Sequence, residues 1–322
     1  MKASTTVAAQ LWGKVKKLSI KKYGMMIGFL IISIVISIVT PNFLSTRNIL
    51  NMLRQSSIVG VMAIGTTFVI IGGGFDICVG SLLALTAAMT LDLQRFMPWP
   101  VVVVLVLGVG AVVGIINGVL TAKIHIVAII TTLGMMTILR GLTYMYTRGY
   151  PIMGSVESFK FVGSGYLGPI PFPIVIFLAM VVLWQYILRK TKLGRYACAV
   201  GGNKEAARLS GVPVDFYHIM TFVIGGFMAA LAGIIYASRL FSATPLAGQG
   251  YELDAIASTV IGGTRVSGGE GSVIGTLVGV LLLNVVSNMF NLLGIQVYVQ
   301  YLIKGIIILT VVGFDSYSRY KR

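Results

Sequence analysis

The sequence predicts an all-α polytopic membrane protein, with about ten transmembrane helices in two related halves and with short, interrupted helices among them. Three observations support this prediction: an apolar composition, a series of long apolar segments, and a glycine-rich motif that occurs once in each half. Of the 322 residues, 57% are hydrophobic and only 11% are charged, whereas soluble domains carry roughly 25% charged residues. The composition therefore excludes a soluble cytoplasmic enzyme.

Ten apolar segments are candidates for membrane spans, because about 20 mostly apolar residues are needed to cross the hydrocarbon core. The segment at 99–121 is long and unambiguous, whereas those at 57–72, 80–92 and 252–264 are short and rich in glycine. We therefore expect about eight to eleven spans. The ten segments are 25–40, 57–72, 80–92, 99–121, 126–147, 171–188, 217–238, 252–264, 272–290 and 295–313.

The basic residues predict how the chain is oriented. If both termini are cytoplasmic, 17 of the 25 Lys and Arg residues lie in cytoplasmic segments, six lie outside and two lie within spans. An excess of Lys and Arg marks the cytoplasmic loops of membrane proteins. This bias accounts for the formal net charge of +16 without a nucleic-acid partner, and no nucleic-acid-binding motif is present.

The chain is expected to form one transmembrane domain with short cytoplasmic ends. Residues 1–24 are a basic N-terminal segment, 25–313 form the membrane domain, and 314–322 are a cytoplasmic tail. No small-x-small cleavage site follows the first apolar run, so we interpret that run as a retained anchor and not as a signal peptide.

A glycine-rich motif occurs in each half and aligns without a gap. Residues 73–82 read GGFDICVGSL and residues 268–277 read GGEGSVIGTL, 195 positions later. Each motif follows a short apolar segment and continues into an apolar helix. Interrupted helices at matching places in two halves indicate a transport path. We therefore predict repeat halves at about 41–170 and 190–313, with chance recurrence of glycine strings as the alternative.

Small residues recur at every fourth position in three apolar segments. Such a stripe lets helix backbones approach closely. It therefore predicts close helix–helix packing and gives no information about the substrate. The stripes are Gly110, Gly114 and Gly118; Gly225, Ala229 and Gly233; and Gly271, Gly275 and Gly279.

Several ionisable residues lie within or beside the predicted spans, where a charge costs at least about 2.5–3.5 kcal/mol on insertion scales. Asp76 lies in the first glycine-rich break, and Arg140 and Lys304 lie within apolar segments. One interpretation is a polar path in which Asp76 accepts hydrogen bonds from solute hydroxyls. The alternative is structural: Asp76 caps a helix, pairs with Arg140 or Lys304, or lies near an interface. Three further acids border the eighth segment and the second break: Glu252, Asp254 and Glu270.

No built-in energy source is visible in the sequence. A proton- or sodium-driven carrier usually has several intramembrane carboxylates or histidines in relay. The two histidines, His125 and His218, lie at predicted cytoplasmic helix ends, where we expect solvated loop side chains. Cys78 and Cys198 fit neither a disulfide framework nor a metal site. We therefore expect no catalytic residue, no cofactor and no metal, and energy from another chain.

The longest predicted cytoplasmic connection, 189–215, contains a short polar helix. Asn203 is a good N-cap, Glu205 falls in the first turn, and Gly211 follows as the stop. A helix of this kind, parallel to the membrane, can transmit motion from a soluble partner. A solvated loop that only sets the topology is the alternative.

Three groups of long strings give the chain a resemblance to a known family. They are GFDICVGSLLALT at 74–86; LGRY at 193–196 with GGN at 201–203 and AARLSG at 206–211; and GYELDAIA at 250–257 with GGT at 262–264 and GG at 268–269. From about Pro41 to Lys304 the sequence resembles the permease subunit of ribose-type monosaccharide ABC importers, which are related to branched-chain amino-acid permeases. Phe75 and Cys78 depart from the Ile and Ser expected there.

The resemblance implies several partners. A cytoplasmic ABC ATPase subunit would supply energy, a periplasmic or surface sugar-binding protein would deliver the solute, and a second copy of the permease would enclose the path in the lipid of the inner (plasma) membrane. It implies that the loop contacts the ATPase through Gly194, Arg195, Gly201, Asn203, Glu205, Arg208 and Gly211. It places beside the path Gly74, Asp76, Gly80, Ser81, Gly268, Gly269 and Glu270.

The sequence thus predicts the non-catalytic permease subunit of an ABC importer for a ribose-like monosaccharide. A homodimer is favoured over a heterodimer because one chain holds both halves of the repeat. Importers of another pentose, a hexose, a polyol or a branched-chain amino acid are alternatives within the class. Outside the class, the alternatives are an ion-coupled secondary carrier and a membrane enzyme.

Overall fold

The computed structural model describes residues 33, 34, 37, 40 and 42–320 of the chain, and within them it contains twelve α-helices and four two-residue strands. The helices are α1 (Thr46–Ile71), α2 (Val79–Leu93), α3 (Trp99–Ala122), α4 (Ala128–Thr147), α5 (Lys160–Ser164), α6 (Phe172–Lys190), α7 (Lys192–Gly202), α8 (Lys204–Leu209), α9 (Val214–Leu240), α10 (Tyr251–Ile261), α11 (Val273–Leu292) and α12 (Val297–Tyr320). The strands are β1 (Ile152–Met153), β2 (Tyr166–Leu167), β3 (Ile170–Pro171) and β4 (Ser242–Ala243), and a 3₁₀ turn covers Glu157–Phe159.

These elements confirm the prediction of an all-α polytopic membrane protein. Within the described ranges, six helices are long and apolar enough to cross a membrane: α1, α3, α4, α6, α9 and α11. The segments predicted to be short at 80–92 and 252–264 correspond to α2, with 15 residues, and α10, with 11. The predicted first span, 25–40, lies outside the described residues except at four isolated positions.

The segment predicted at 57–72 is not short, because it is the second half of the 26-residue helix α1. The first three turns of α1 contain polar residues, so the apolar pattern of the sequence indicates only its second half. Their side chains are satisfied locally and across the fold. The Ser45 hydroxyl caps the helix by accepting from the Asn48 amide at 3.3 Å, and the Asn48 and Asn288 side-chain amides donate to each other at 2.9 and 2.8 Å.

Helices α1, α2 and α9 form the buried centre of the fold, and the other long helices surround them. The most apolar stretch of α1 is 89% buried and that of α9 is 67% buried, whereas the same measure is 28% for α3, α4 and α6. Helix α9 packs against α1, α2 and α3, and α10 packs against α11 and α1. The peripheral helices therefore present apolar side chains outward, as expected for a surface that faces lipid.

The small-residue stripes are confirmed as helix contacts. A Cβ atom added to Gly110 or Gly114 of α3 would lie 2.4 Å from the Gly226 carbonyl oxygen or 2.3 Å from that of Phe222, both on α9. A Cβ atom on Gly279 of α11 would lie 2.1 Å from a backbone oxygen of α10. Backbones this close leave no room for a side chain, as in small-residue packing of membrane helices.

Two pairs of short strands order the connections: β1 and β4 follow α4 and α9, and β2 and β3 lie between α5 and α6. Strand β1 pairs antiparallel with β4, so that Ile152 lies opposite Ala243, and β2 pairs with β3. Helix α6 runs from this end of the molecule to α7 and α8, so the strands and the α7–α8 segment lie at opposite ends. The β1–β4 pair fixes the start of the connection that leads into α10.

Candidate functional site

Three segments distant in sequence meet at the C-terminal end of α1. They are the first glycine-rich break, the end of α7, and the second glycine-rich break. We call their contact the glycine junction; its members are Gly73, Gly201, Gly202, Gly268 and Gly269. The Gly269 amide donates to the Ile71 carbonyl at 2.9 Å, which ties the second break to the end of α1.

The glycine junction consists of backbone against backbone. A Cβ atom on Gly201 would lie 1.8 Å from the Ile71 carbonyl oxygen. A Cβ atom on Gly268 would lie 2.8 Å from the Gly201 oxygen and 3.1 Å from the Gly73 Cα. The structure thus brings the predicted coupling loop into direct contact with both breaks.

The first break is irregular backbone whose polar groups are satisfied by protein. The Thr132 hydroxyl of α4 donates to the Phe75 carbonyl at 3.2 Å and accepts from the Ile77 amide at 3.4 Å. The Gly72 carbonyl lies 3.0 Å from His218 Nδ1. This arrangement explains how non-helical backbone persists between two membrane helices.

The expectation of a solvated His218 is wrong, because the residue is 2% exposed. The Gly72 carbonyl can only accept, so Nδ1 carries the proton of this bond. The first turns of α9 are covered by α7 and α8, and Val200, Ala207 and Val214 form a small buried cluster between the three helices. The start of α9, which the sequence predicted to be solvent-exposed, is therefore buried. Its histidine links α9 to the first glycine-rich break.

Asp76 is buried at 1% exposure, and its carboxylate accepts a hydrogen bond from the Cys78 amide at 2.8 Å. Pairing with Arg140 or Lys304, one of the structural alternatives, is not what the structure shows. The Lys304 ammonium binds both oxygens of Asp254, and the Arg140 guanidinium donates to backbone carbonyls. The geometry of Asp76 is that of an Asx turn just before α2, which favours a structural role.

We expect Asp76→Asn to keep wild-type stability and solute uptake, because the amide oxygen still accepts from the Cys78 amide. Asp76→Ala leaves that buried amide without a partner, which costs about 1–3 kcal/mol of unfolding free energy. Thermal unfolding in detergent and uptake in vesicles measure the two effects. A stable Asp76→Asn protein that has lost uptake would instead assign Asp76 to the solute path.

Gly80 and Ser81 lie against the connection that precedes α10. A Cβ atom on Gly80 would lie 2.1 Å from Glu252 Oε2 and 2.6 Å from the Gly248 carbonyl oxygen. Glu252 Oε1 accepts from the Gly250 amide at 3.1 Å. Glu252 Oε2 and the Ser81 hydroxyl are buried without a hydrogen-bond partner among the described residues. These two positions therefore sit beside α10 and away from the glycine junction.

The remaining predicted path residues lie at the α7–α8 end of the molecule. Gly74 packs against the ring of Phe222, with its Cβ position 2.8 Å from two ring carbons. Glu270 is 62% exposed and pairs with Arg265 at 2.8 Å. The seven predicted path residues thus fall into two groups, one at the α7–α8 end and one at the start of α10, and they do not form a single cluster.

The predicted coupling loop folds as two helices, α7 and α8, of which the sequence had indicated α8. Asn203 caps α8 by accepting from the Ala206 amide at 3.0 Å, and Gly211 ends the segment with φ +76°. Glu205 and Arg208 lie 3.6 Å apart and are 79% and 58% exposed. The surface of α8 is therefore free to meet a partner.

Helix α7 escaped prediction because its stretch is rich in glycine and small residues. Thr191 caps it by accepting from the Gly194 amide at 3.4 Å, and the Arg195 guanidinium donates to the Lys190 carbonyl at 3.2 Å. A Cβ atom on Gly194 would lie 2.1 Å from the Leu188 carbonyl oxygen. The close turn from α6 into α7 depends on this glycine, and it directs α7 toward the glycine junction.

Comparisons with known proteins agree with this architecture. A family model described as "Branched-chain amino acid transport system / permease component" matches residues 48–312. The chain is 44% identical over 301 residues to the ribose import permease protein RbsC of Haemophilus influenzae, covering 92% of this chain and 93% of the relative. It is 46% identical to RbsC of Bacillus subtilis (strain 168), covering 92% of each chain.

A relative named for a different sugar is less similar. The L-arabinose transport system permease protein AraH of Escherichia coli (strain K12) is 38% identical over 307 residues, which cover 92% of this chain and 91% of the relative. No solved structure matches the chain.

Proposed function

Because the chain belongs to the family of transport-system permease components and is 44–46% identical over 92% of its length to two ribose import permeases, we propose that it is the membrane subunit of an ABC importer for ribose or a closely similar monosaccharide. The observation that carries the proposal is this near full-length similarity. Because one relative, at 38% identity, is named for L-arabinose, a second pentose is the alternative substrate.

The energy and the solute are supplied by other chains in this proposal. The sequence has no GxxxxGK[ST] phosphate-binding string, so a cytoplasmic ATPase subunit hydrolyses ATP. A periplasmic or surface sugar-binding protein delivers the solute, and a second copy of the permease completes the path in the inner membrane. The α7–α8 end faces the cytoplasm, because it carries the excess of Lys and Arg.

The proposed coupling runs from α8 to the glycine junction. Leu209 is 88% exposed beside the exposed Glu205 and Arg208, which gives α8 an apolar and charged surface for docking into the ATPase. Helix α7 carries any displacement of α8 to both glycine-rich breaks, because Gly201 and Gly202 touch them backbone to backbone. Contact between backbones transmits a small displacement directly, because no flexible side chain lies between them to absorb it.

The proposal is tested by ATP-driven uptake in proteoliposomes that contain the permease and its ATPase. With ATP trapped inside and the binding protein outside, we expect ribose uptake that stops when either is omitted. Competition by arabinose, a hexose, a polyol and a branched-chain amino acid ranks the alternative substrates. Uptake driven by a pH or sodium gradient in the absence of the ATPase would contradict the proposal.

Exchanging the charges of α8, as Glu205→Arg with Arg208→Glu, is expected to lower uptake at least tenfold. The i, i+3 pair remains intact in the exchanged helix, so α8 stays folded while its surface charges are misplaced for the ATPase. The measurement is ATPase recovered with the tagged permease, together with uptake. Exchanging Glu157 and Lys160, an exposed i, i+3 pair at the opposite end of the molecule, is the control and leaves ATPase recovery unchanged. Normal recovery and uptake in the α8 variant would mean that the loop only sets topology.

A further inference from the structure

A cavity of about 310 Å³ lies between α1, α10, α11 and α12, at the end of the molecule away from α7 and α8. Its volume falls at the lower end of the range of about 300–1,000 Å³ found for small-molecule sites. It opens beside Leu253 and Tyr301, which are 53% and 54% exposed. The residues that line it come from 55 to 305 in sequence, and none of them belongs to the glycine junction.

The cavity wall contains an ion pair with no net charge. The Lys304 ammonium binds the Asp254 carboxylate at 2.9 and 3.0 Å, and both side chains are 20% exposed. A carboxylate offers about four acceptor positions and an ammonium three donors, so the pair retains hydrogen-bonding capacity toward the cavity. Because the two charges cancel, the wall favours a neutral polar solute over an ion.

Other polar side chains at the cavity have unused hydrogen-bonding capacity. The side chains of Gln55, Gln249 and Ser287 make no hydrogen bond within the part of the chain that the structure describes. An amide both donates and accepts, which matches the hydroxyl group, itself donor and acceptor. Tyr251 and Tyr301 add ring surfaces to the same wall. Polar groups of this kind with apolar ring faces suit a polyhydroxyl molecule.

The cavity continues inward as a small pocket of about 20 Å³ that shares Gln55, Asp254, Ser287 and Lys304 with it. This volume holds about one water-sized group. The Ser258 hydroxyl lines the pocket, is fully buried, and has no hydrogen-bond partner among the described residues. A buried hydroxyl without a partner is costly, so the pocket is built to accept one polar group from the cavity side.

We propose that this cavity binds one neutral monosaccharide on its way through the membrane. The Asp254–Lys304 pair and Gln55 form hydrogen bonds with the hydroxyl groups of the sugar, and Ser258 forms a hydrogen bond with the innermost hydroxyl. The inference rests on the proposed function and adds to it a solute site lined by residues of this chain. The site shares no residue with the glycine junction, to which the proposed function assigns the transmission of motion.

The test places a cysteine on the wall, Ser287→Cys, and applies a membrane-impermeant thiol reagent from the binding-protein side of the proteoliposomes. We expect labelling to lower ribose uptake at least tenfold while binding-protein-stimulated ATP hydrolysis continues. Ribose is expected to slow the labelling. Asn288→Cys, one residue along α11 at a side chain that faces Asn48, is the matched control, and its exposure to reagent leaves uptake unchanged. The unsubstituted chain gives the background from Cys78 and Cys198.

A second variant, Gln249→Cys at an exposed position of the connection before α10, covers the case in which Ser287→Cys does not assemble. Failure of the reagent to reach either cysteine, or labelling that leaves uptake intact and is not slowed by ribose, overturns the solute site. Failure of the unlabelled, unsubstituted chain to import ribose with its partners overturns the proposed function instead. Slowing of the labelling by ribose still decides the cavity in that case, because it requires no uptake.

Discussion

Replacing Gly201 by alanine is expected to abolish ribose uptake. The added methyl group would lie 1.8 Å from the Ile71 carbonyl oxygen and 2.9 Å from the Gly73 amide nitrogen, whereas unstrained contacts lie near 3.5 Å or beyond. Both neighbours are backbone atoms and cannot rotate away. Helix α7 must therefore shift by more than about 1 Å, which breaks the glycine junction between the coupling loop and the two breaks.

Gly202→Ala is the matched control, because its added methyl group would lie 3.8 Å from its nearest neighbour, the Gly269 Cα. Overpacking costs about 1–3 kcal/mol, and more where backbone is involved, so Gly201→Ala should also lower the detergent unfolding midpoint while Gly202→Ala leaves it unchanged. Thermal unfolding and uptake of the two variants are measured side by side. Equal uptake by both would show that the contact of α7 with α1 does not transmit motion.

The sequence predicted the parts of the site whose signals are local. The cap at Asn203, the first-turn Glu205 and the stop at Gly211 lie within nine residues of one another, and each acts on its own helix. The apolar segments likewise follow from composition over about 20 residues. These features need no knowledge of the tertiary fold. The structure shows the cap, the first-turn acid and the stop where the sequence placed them, whereas the segment at 57–72 is the second half of a longer helix.

The features that escaped prediction depend on contacts across the fold. His218 was expected to be solvated because nothing near it in sequence shows that α7 and α8 cover the start of α9. The polar first turns of α1 join a long helix because Asn48 finds its partner, Asn288, 240 positions away. The glycine junction and the wall cavity join residues just as distant, such as Gly73 with Gly268 and Gln55 with Lys304.

Arg140→Met is expected to lower the free energy of unfolding by about 3 kcal/mol or more, since hydrogen bonds to charged groups contribute roughly 1.5–3 kcal/mol each. The guanidinium of Arg140 donates to the Pro245 carbonyl and, at 3.1 Å, to the Ala247 carbonyl. It thereby ties α4 to the connection that leads into α10. Without it, both carbonyls lose their donor, and the start of α10 loses its anchor.

The same substitution should also reduce uptake, because the connection that Arg140 holds carries Gln249 and leads directly to Asp254 at the cavity. Arg148→Met is the matched control: it changes the same residue type at the end of the same helix, where the side chain is exposed and makes no hydrogen bond or ion pair within the described residues. Arg140→Lys should fall between the two, since a single ammonium replaces the planar donor fork that reaches two carbonyls. Unfolding midpoints and initial uptake rates of the three proteins test this order. If Arg140→Met matched Arg148→Met in both, the connection before α10 would be held by its other contacts, the β1–β4 pair above all.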